Sequence, residues 1–471
     1  MLSTRAAFVS LLLAAGARLA PAAETVIAAR YIVTMDPARR VIDRGAIRVR
    51  DALIVEVAER AQFRRVDVDL GEAILMPGLI NAHTHAPMSL FRGLADDLPL
   101  QDWLERFIFP AEARHLNAEF VRWGTRLACL EMLLGGTTTF VDMYYFEDVV
   151  AEETRRAGLR AILGETIIRF PVADHRTPEE ALRWTEGFLA RYARDPLITP
   201  GVAPHALYTN RDETLQQARA LARQFRAPLL IHLSETAKEN RENQAVRGVS
   251  PTRTLDALGV LEGWTIAAHG VWLDGEDIRV LRDRGAGVAH CPSSNMKLAS
   301  GIAPVLRLLQ AGVPVGLGTD GPAGSNNDFN LFEEMDLASK LAKVASGDPT
   351  ALPARQAVAM ATIEGARAIG LSDQIGSLET GKRADLIALR LDQPHARPLF
   401  DLYSQIVSAL KASDVTDVMV EGRWILRRRR PLTLDPATIR SKALQYQEVI
   451  RRSLPPPPAT ARHSGRGALL N

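Results

Sequence analysis

Two textures of apolar and polar positions alternate along the chain. Near the amino terminus, short apolar runs separated by polar turns predict strands at Thr25–Ala28, Tyr31–Thr34, Ala46–Val49 and Leu53–Val57. The same texture returns late, at Ala384–Leu389 and Val415–Val420, where Glu421-Gly422 turns the chain into Arg423–Leu426. Between these ends, apolar runs alternate with helical periodicity. The strands predicted there are Ile74–His83, Thr138–Met143, Ala161–Thr166, Ile198–His205, Pro228–Glu235, Thr265–His269, Gly287–Cys291 and Val313–Asp320. Helical patterns at Ala118–Leu134, Pro178–Tyr192 and Asp212–Gln224 separate some of them, and Leu331–Val344 and Arg355–Ile369 follow the last.

Eight strand–helix repeats predict an α/β fold, a (β/α)8 TIM-type barrel over residues 73–375. A doubly wound open sheet is the rival architecture. The two flanking β pieces, 24–72 and 376–435, are expected to pair into a small β-sandwich domain built from both chain ends. Residues 436–471 read as a C-terminal helix and a Pro-rich tail, with Pro455–Pro458 in polyproline II conformation ahead of disorder. The run Arg427–Arg430 reads as a charged strand edge rather than a nucleic-acid patch.

Composition narrows the class. The 471 residues are 47% hydrophobic and 24% charged, enough for a large core. A formal net charge of +2 creates no strong field for nucleic acid or a membrane, and neither is expected as a partner. A homo-oligomer stays open. The two cysteines, Cys129 and Cys291, lie in apolar segments and form no disulfide framework. Residues 1–23 carry one early charge, Arg5, then an apolar run and Ala20-Pro-Ala22, a pattern that resembles a secretory signal peptide. The protein is then periplasmic or secreted. If the leader is an amphipathic segment or a misassigned start, it is cytoplasmic.

Chemistry gathers at the carboxyl ends of the predicted barrel strands, where barrel active sites form. The first ends in His83-Thr-His85, the fourth in Pro204-His205, the fifth in His232-Leu-Ser-Glu235, the sixth in Ala268-His269 and the eighth in Thr319-Asp320. If His290 on the seventh strand is counted, six of the ten histidines face one mouth. His83 and His85 share a strand face because side chains alternate. With His232 and Asp320 they supply three nitrogens and a carboxylate oxygen, leaving a position for water on one divalent metal. Imidazole suits zinc first and iron second. His115, His175, His395 and His463 lie in polar or tail segments and read as surface residues.

The motifs MPGLINAHTH (76–85), HLSE (232–235), AHG (268–270) and GTDG (318–321) resemble the amidohydrolase superfamily. Leu90-Phe-Arg-Gly, Trp103-Leu, Gly135-Gly-Thr-Thr-Thr, His290-Cys-Pro-Ser-Ser-Asn and Gly381-Lys-Arg-Ala-Asp-Leu resemble its branch of methylthioadenosine/S-adenosylhomocysteine deaminases and triazine hydrolases. The resemblance implies the same four metal ligands. The second metal of related enzymes needs a bridging lysine on the fourth strand, and Val202–Ala206 holds none, so a single divalent metal is expected.

By resemblance, Glu235 moves a proton from the attacking water to a ring nitrogen, and His269 hydrogen-bonds that water or the developing oxyanion. Asp320 is both a ligand and a candidate base. Glu235 also reads as a helix-start acid. Glu112 resembles the position that binds ribose hydroxyls, although a helix-start acid after Pro110 is the equal reading. His205 resembles a contact to base or sugar, and Trp103 is an apolar wall or simply packs. Glu165 stands where such deaminases carry arginine, and Arg169 is the candidate substitute.

The expected function is hydrolytic deamination of an aminated heterocycle, most readily an aminopurine nucleoside of the methylthioadenosine, S-adenosylhomocysteine or adenosine type. An acid at Glu235 to protonate departing ammonia favours this over expulsion of chloride. The alternatives are hydrolysis of a triazine or another cyclic amidine or amide, and a non-catalytic ligand-binding barrel.

Overall fold

The computed structural model describes residues 24–453. Its strands are β1 (Glu24–Val33), β2 (Val41–Arg50), β3 (Leu53–Glu59), β4 (Val68–Asp69), β5 (Ala73–Pro77), β6 (Leu79–Thr84), β7 (Thr137–Tyr144), β8 (Arg160–Ile167), β9 (Ile198–Pro204), β10 (Leu229–Leu233), β11 (Thr265–His269), β12 (Gly287–His290), β13 (Val315–Leu317), β14 (Leu386–Arg390), β15 (Val415–Val420), β16 (Arg423–Arg427) and β17 (Arg430–Pro431).

Strands β6 to β13 form one eight-stranded parallel sheet in chain order. A bridge between Thr84 and Asp320 closes it, with the Asp320 N–H donating to the His83 carbonyl at 3.0 Å. Asn81 reinforces the seam: its amide donates to Thr319 Oγ1 at 2.8 Å and its oxygen accepts the Thr319 N–H at 3.0 Å. The barrel interior is filled by Ile80, Ala82, Val141, Ile162, Ala203, Leu230, Ile266 and Ala289, the alternate residues of their strands. The (β/α)8 expectation is met.

The first barrel strand differs from its expected extent. The run from Ile74 to His83 is two strands, not one, because the chain changes sheets at Gly78. β5 pairs with β1 and β14 in the small domain, and β6 pairs with β7 in the barrel. A Cβ on Gly78 would lie 2.0 Å from Thr138 Oγ1, so the crossing accepts no side chain. The small domain therefore takes in Ala73–Pro77, which the sequence pattern had assigned to the barrel.

The small domain's strands follow one hydrogen-bonded path, β17-β16-β15-β14-β5-β1-β2-β3, with β4 beside β1. The path returns on itself: the Ile54 N–H donates to the Lys382 carbonyl at 2.9 Å, and Leu53 bridges Arg383. A common core of Ile27, Ile47, Ile54, Leu75, Leu386 and Met419 fills the fold. The two chain ends thus make one domain, as expected.

Helices Ala118–Leu134 and Pro178–Tyr192 run between the predicted limits. Asn117 and Thr177 cap them by accepting N–H groups of the first turn. The predicted helix Arg355–Ile369 is instead two, Ala354–Met360 and Ile363–Ala368, broken at Thr362. Helix Pro436–Ser453 lies on Ala118–Leu134, with Tyr446 edge-on to Phe120. The leader and Pro-rich tail readings fall outside the described residues. No described helix is long and apolar enough to cross a membrane.

Candidate active site

The end of β6 and the turn after it, the end of β10 and the segment after β13 bring four donor atoms together. His83 Nε2 lies 3.4 Å from Asp320 Oδ1, and His85 Nε2 lies 3.2 Å from the same oxygen. His232 Nε2 is 3.3 Å from His85 Nε2. Donors about 2.0–2.2 Å from one tetrahedral ion lie roughly 3.3–3.6 Å apart, so these spacings are close to those of a ligand shell.

The outer nitrogens are committed elsewhere. His85 Nδ1 faces the Met143 carbonyl at 2.6 Å, and His232 Nδ1 faces the His205 carbonyl at 2.8 Å. Nδ1–H donation to a carbonyl leaves each Nε2 lone pair aimed at the common point. His83 Nε2 is buried with no hydrogen-bond partner. An orphaned buried nitrogen beside a carboxylate and two lone pairs fits a divalent cation. Without one, protons fill in: burial disfavours charge on His85, but Asp320 outweighs it and pushes the ring up to about 9. Burial takes His83 down to about 4. Burial also opposes ionisation of Asp320, yet the His83 and His85 imidazoles set against it hold it well below the usual carboxylate range.

Glu235 and His269 stand at the rim of this centre, with Glu235 Oε2 3.8 Å from His269 Nε2. Burial raises the Glu235 carboxyl above its ordinary range. His269 Nδ1 lies 3.0 Å from Asn295 Oδ1 and donates there, which leaves Nε2 facing the cavity. Ser234, His269 and Asp320 all have left-handed backbones, with φ of 49°, 73° and 65°. Such conformations cost on the order of 1–3 kcal/mol each in a non-glycine residue, and here they cluster where the side chains must turn into the mouth.

These groups open into a cavity of about 560 Å³. His85, His205, His232, Glu235, His269 and Asp320 line it together with Glu112 and Trp103. Leu100, Leu104, Ile108 and Phe109 make its apolar side. Glu112 is buried and faces the cavity rather than solvent. One of its oxygens accepts the Tyr144 hydroxyl at 2.6 Å, and burial raises its carboxyl to about 7. Trp103 both lines the cavity and packs, its indole N–H donating to the Ala323 carbonyl at 2.9 Å.

Other expectations change. Arg169 is exposed and does not line the cavity; it follows β8, and its own N–H donates to the Thr209 carbonyl. His290 does not face the mouth. Strand alternation turns Ala289 into the barrel and His290 outward, into a separate apolar cavity of about 630 Å³ lined by Ile302, Pro304 and Leu341. His175 is not a surface residue but is buried behind the rim.

Residues 74–425 match the Amidohydrolase family. The chain belongs to that family. A 5-methylthioadenosine/S-adenosylhomocysteine deaminase of Thermodesulfovibrio yellowstonii is 44% identical over 435 residues, covering 91% of this chain and 99% of its own. A zinc-bound adenosine deaminase of Xanthomonas campestris superposes with a TM-score of 0.89 at 41% identity, over 91% of this chain and 98% of that one. A zinc-complexed atrazine chlorohydrolase of Arthrobacter aurescens, 24% identical, shares the fold with a TM-score of 0.83 over 90% of this chain and 100% of its own.

In this amidohydrolase, several supporting residues escaped the sequence reading. Ser294 Oγ donates to Asp320 Oδ2 at 2.7 Å. Asp142 Oδ1 accepts from Thr84 Oγ1 at 2.5 Å and from the Ala86 N–H at 2.6 Å, holding the turn around His85. Glu239 accepts the N–H groups of Ser234 and Glu235 at 3.2 and 2.8 Å, which fixes the strained turn. Ser294 and Asn295 stood in the quoted HCPSSN motif, which was a signal without an assigned role. Asp142 and Glu239 carried no pattern that marks them before the fold brings them in.

Proposed function

We propose that this amidohydrolase deaminates 5′-substituted adenosines of the methylthioadenosine and S-adenosylhomocysteine type, with one zinc ion at the barrel mouth held by His83, His85, His232 and Asp320. The observation that carries the reading is the Glu235–His269 pair, 3.8 Å apart beside four converged donors, in a cavity that Glu112 also lines. The deaminases that are 44% and 41% identical to this chain point the same way. Zinc at that point supplies the Lewis acidity that makes a water nucleophilic near neutral pH.

The chain's residues do the rest. His269 Nε2 accepts a hydrogen bond from the attacking water and orients it toward the amino-bearing carbon. Glu235 takes the water's proton and delivers it to the adjacent ring nitrogen, which removes the aromatic bond and lets the carbon accept oxygen. Glu235 then passes the remaining hydroxyl proton to the amino group. The carbon–nitrogen bond breaks, ammonia leaves, and a ring carbonyl remains. Glu112 keeps one oxygen on Tyr144 and turns the other to ribose hydroxyls. The Leu100, Leu104, Ile108 and Phe109 wall takes an apolar 5′ substituent.

Ammonia release from adenosine, methylthioadenosine, S-adenosylhomocysteine, guanine and triazines tests this. The 5′-substituted adenosines are expected to turn over best. A zinc-loaded protein that releases no ammonia from any adenosine, or that instead expels chloride or an alkylamine from triazines, overturns the reading. Glu235→Gln should lower kcat by about 10²-fold or more with zinc content unchanged.

A further inference from the structure

A second convergence of ligand atoms lies outside the cavity. On β8, alternation turns Thr166 toward the cavity and Glu165 to the opposite face. There the segment after β8 brings Asp174 and His175 against it. His175 Nδ1 is 3.1 Å from Asp174 Oδ1 and 3.6 Å from Glu165 Oε1. One ligand atom from each of the three residues lies within 4.8 Å of the other two. These spacings bracket the 3.2–3.4 Å seen between donors at the barrel mouth.

Each carboxylate has already spent its other oxygen. Glu165 Oε2 accepts the Glu147 N–H at 3.0 Å, and Asp174 Oδ2 accepts the Phe146 N–H at 2.7 Å. Glu165 Oε1, Asp174 Oδ1 and His175 Nδ1 are buried and have no hydrogen-bond partner. Glu165 is fully buried, His175 is 7% exposed, and the Asp174 side chain is 7% exposed. Three unpartnered atoms thus point to one spot.

Glu147 and Asp142 continue the cluster inward, and both are fully buried. Among the described residues, no lysine or arginine forms an ion pair with any of these four acids. A cluster of buried carboxylates facing an imidazole needs bound protons or a cation. Two carboxylate oxygens and one imidazole nitrogen suit a divalent ion of the zinc or manganese kind, with water completing its shell.

We propose that Glu165, Asp174 and His175 form a second divalent-metal site, distinct from the barrel mouth, that pins the segment after β8 to the turn carrying Tyr144 and Tyr145. Those tyrosines line the substrate cavity, so the ion braces the cavity wall without touching the reacting atoms. The competing arrangement is a proton held on the Glu165 carboxyl against Asp174, favoured by burial and by the neighbouring carboxylate, with no metal.

Metal content of the full chain separates the two. Protein is equilibrated with Zn²⁺ or Mn²⁺, dialysed free of loose ions, and measured by elemental analysis. Wild type is expected to hold two equivalents, and Asp174→Asn and His175→Gln one each. One equivalent in wild type with both metals, or two in either variant, overturns the proposal. A readout without variants is the melting temperature of wild type as Zn²⁺ passes from one to two equivalents. It should rise across the second equivalent; a flat response overturns the site. Neither readout depends on which substrate the barrel mouth turns over.

Discussion

Single side chains in this site work through the atom they leave free. Ser294 donates to one Asp320 oxygen, so the other faces the ligand shell. Asn295 takes one His269 nitrogen, so the other faces the cavity. The two neighbours therefore support different functions. Ser294→Ala should weaken metal retention about 10–100-fold in a chelator competition. Asn295→Ala should leave metal content intact and lower kcat, because His269 loses the partner that sets its tautomer. Equal loss of metal in both variants would count against this division.

Glu334 makes a residue-scale case for pH. Burial raises its carboxyl to about 8, against hydrogen bonds from Ser293 that favour the ionised form. Its oxygens accept from the Ser293 N–H at 3.1 Å and the Asn326 amide at 3.0 Å. Because the folded chain holds this proton more tightly than the unfolded chain, its contribution is full below about pH 4.3 and is lost as pH rises through about 8. Glu334→Gln cannot ionise but gives up one acceptor. Its melting temperature should fall below wild type at pH 5, and the gap should narrow or reverse at pH 8.5. A gap independent of pH would show that the carboxyl does not titrate as described.

At the scale of elements, the molecule depends on where a strand may stop. β5 and β6 read as one apolar run, and nothing in their hydrophobicity marks a border. The border is steric: only a residue without Cβ can pass Thr138 at Gly78. Gly78→Val should destabilise the fold by about 1–3 kcal/mol or more, since both a strand pairing and the His83–His85 turn must shift. Denaturant unfolding checks this, and a loss below about 0.5 kcal/mol would mean the crossing relaxes. The same logic separates His290 from the other histidines. The seventh strand has it at the expected end, but Ala289 takes the inward position, and a shift of one residue reverses the face.

At the scale of the whole molecule, barrel and small domain are locked by a buried charge. Arg160, at the start of β8, donates to Asp385 Oδ2 at 2.9 Å and to the Pro196 carbonyl at 2.9 Å, and it also pairs with Glu421. Its side chain is only 6% exposed. Removing one member of a buried network strands the others, at a cost of about 3–5 kcal/mol. Arg160→Ala should show that loss in chemical unfolding, whereas Arg430, exposed on the edge strand β17, should tolerate alanine. Similar values for both would mean that the interface charge is not what couples the two domains.

The local pattern determined the repeating strands, two of the long helices to their limits, the pairing of both chain ends, and the strand-end histidines that meet around one point. The strands, the helices and the shared strand faces follow from alternation and periodicity, which are properties of neighbours along the chain. Only the tertiary structure decided that Gly78 divides a continuous apolar run, that Arg169 and His290 face away from the cavity, and that His175 is buried beside Glu165 and Asp174. Each of these turns on what stands opposite a residue from a distant part of the chain. That opposition is set by barrel closure and side-chain volume, which no local spacing encodes.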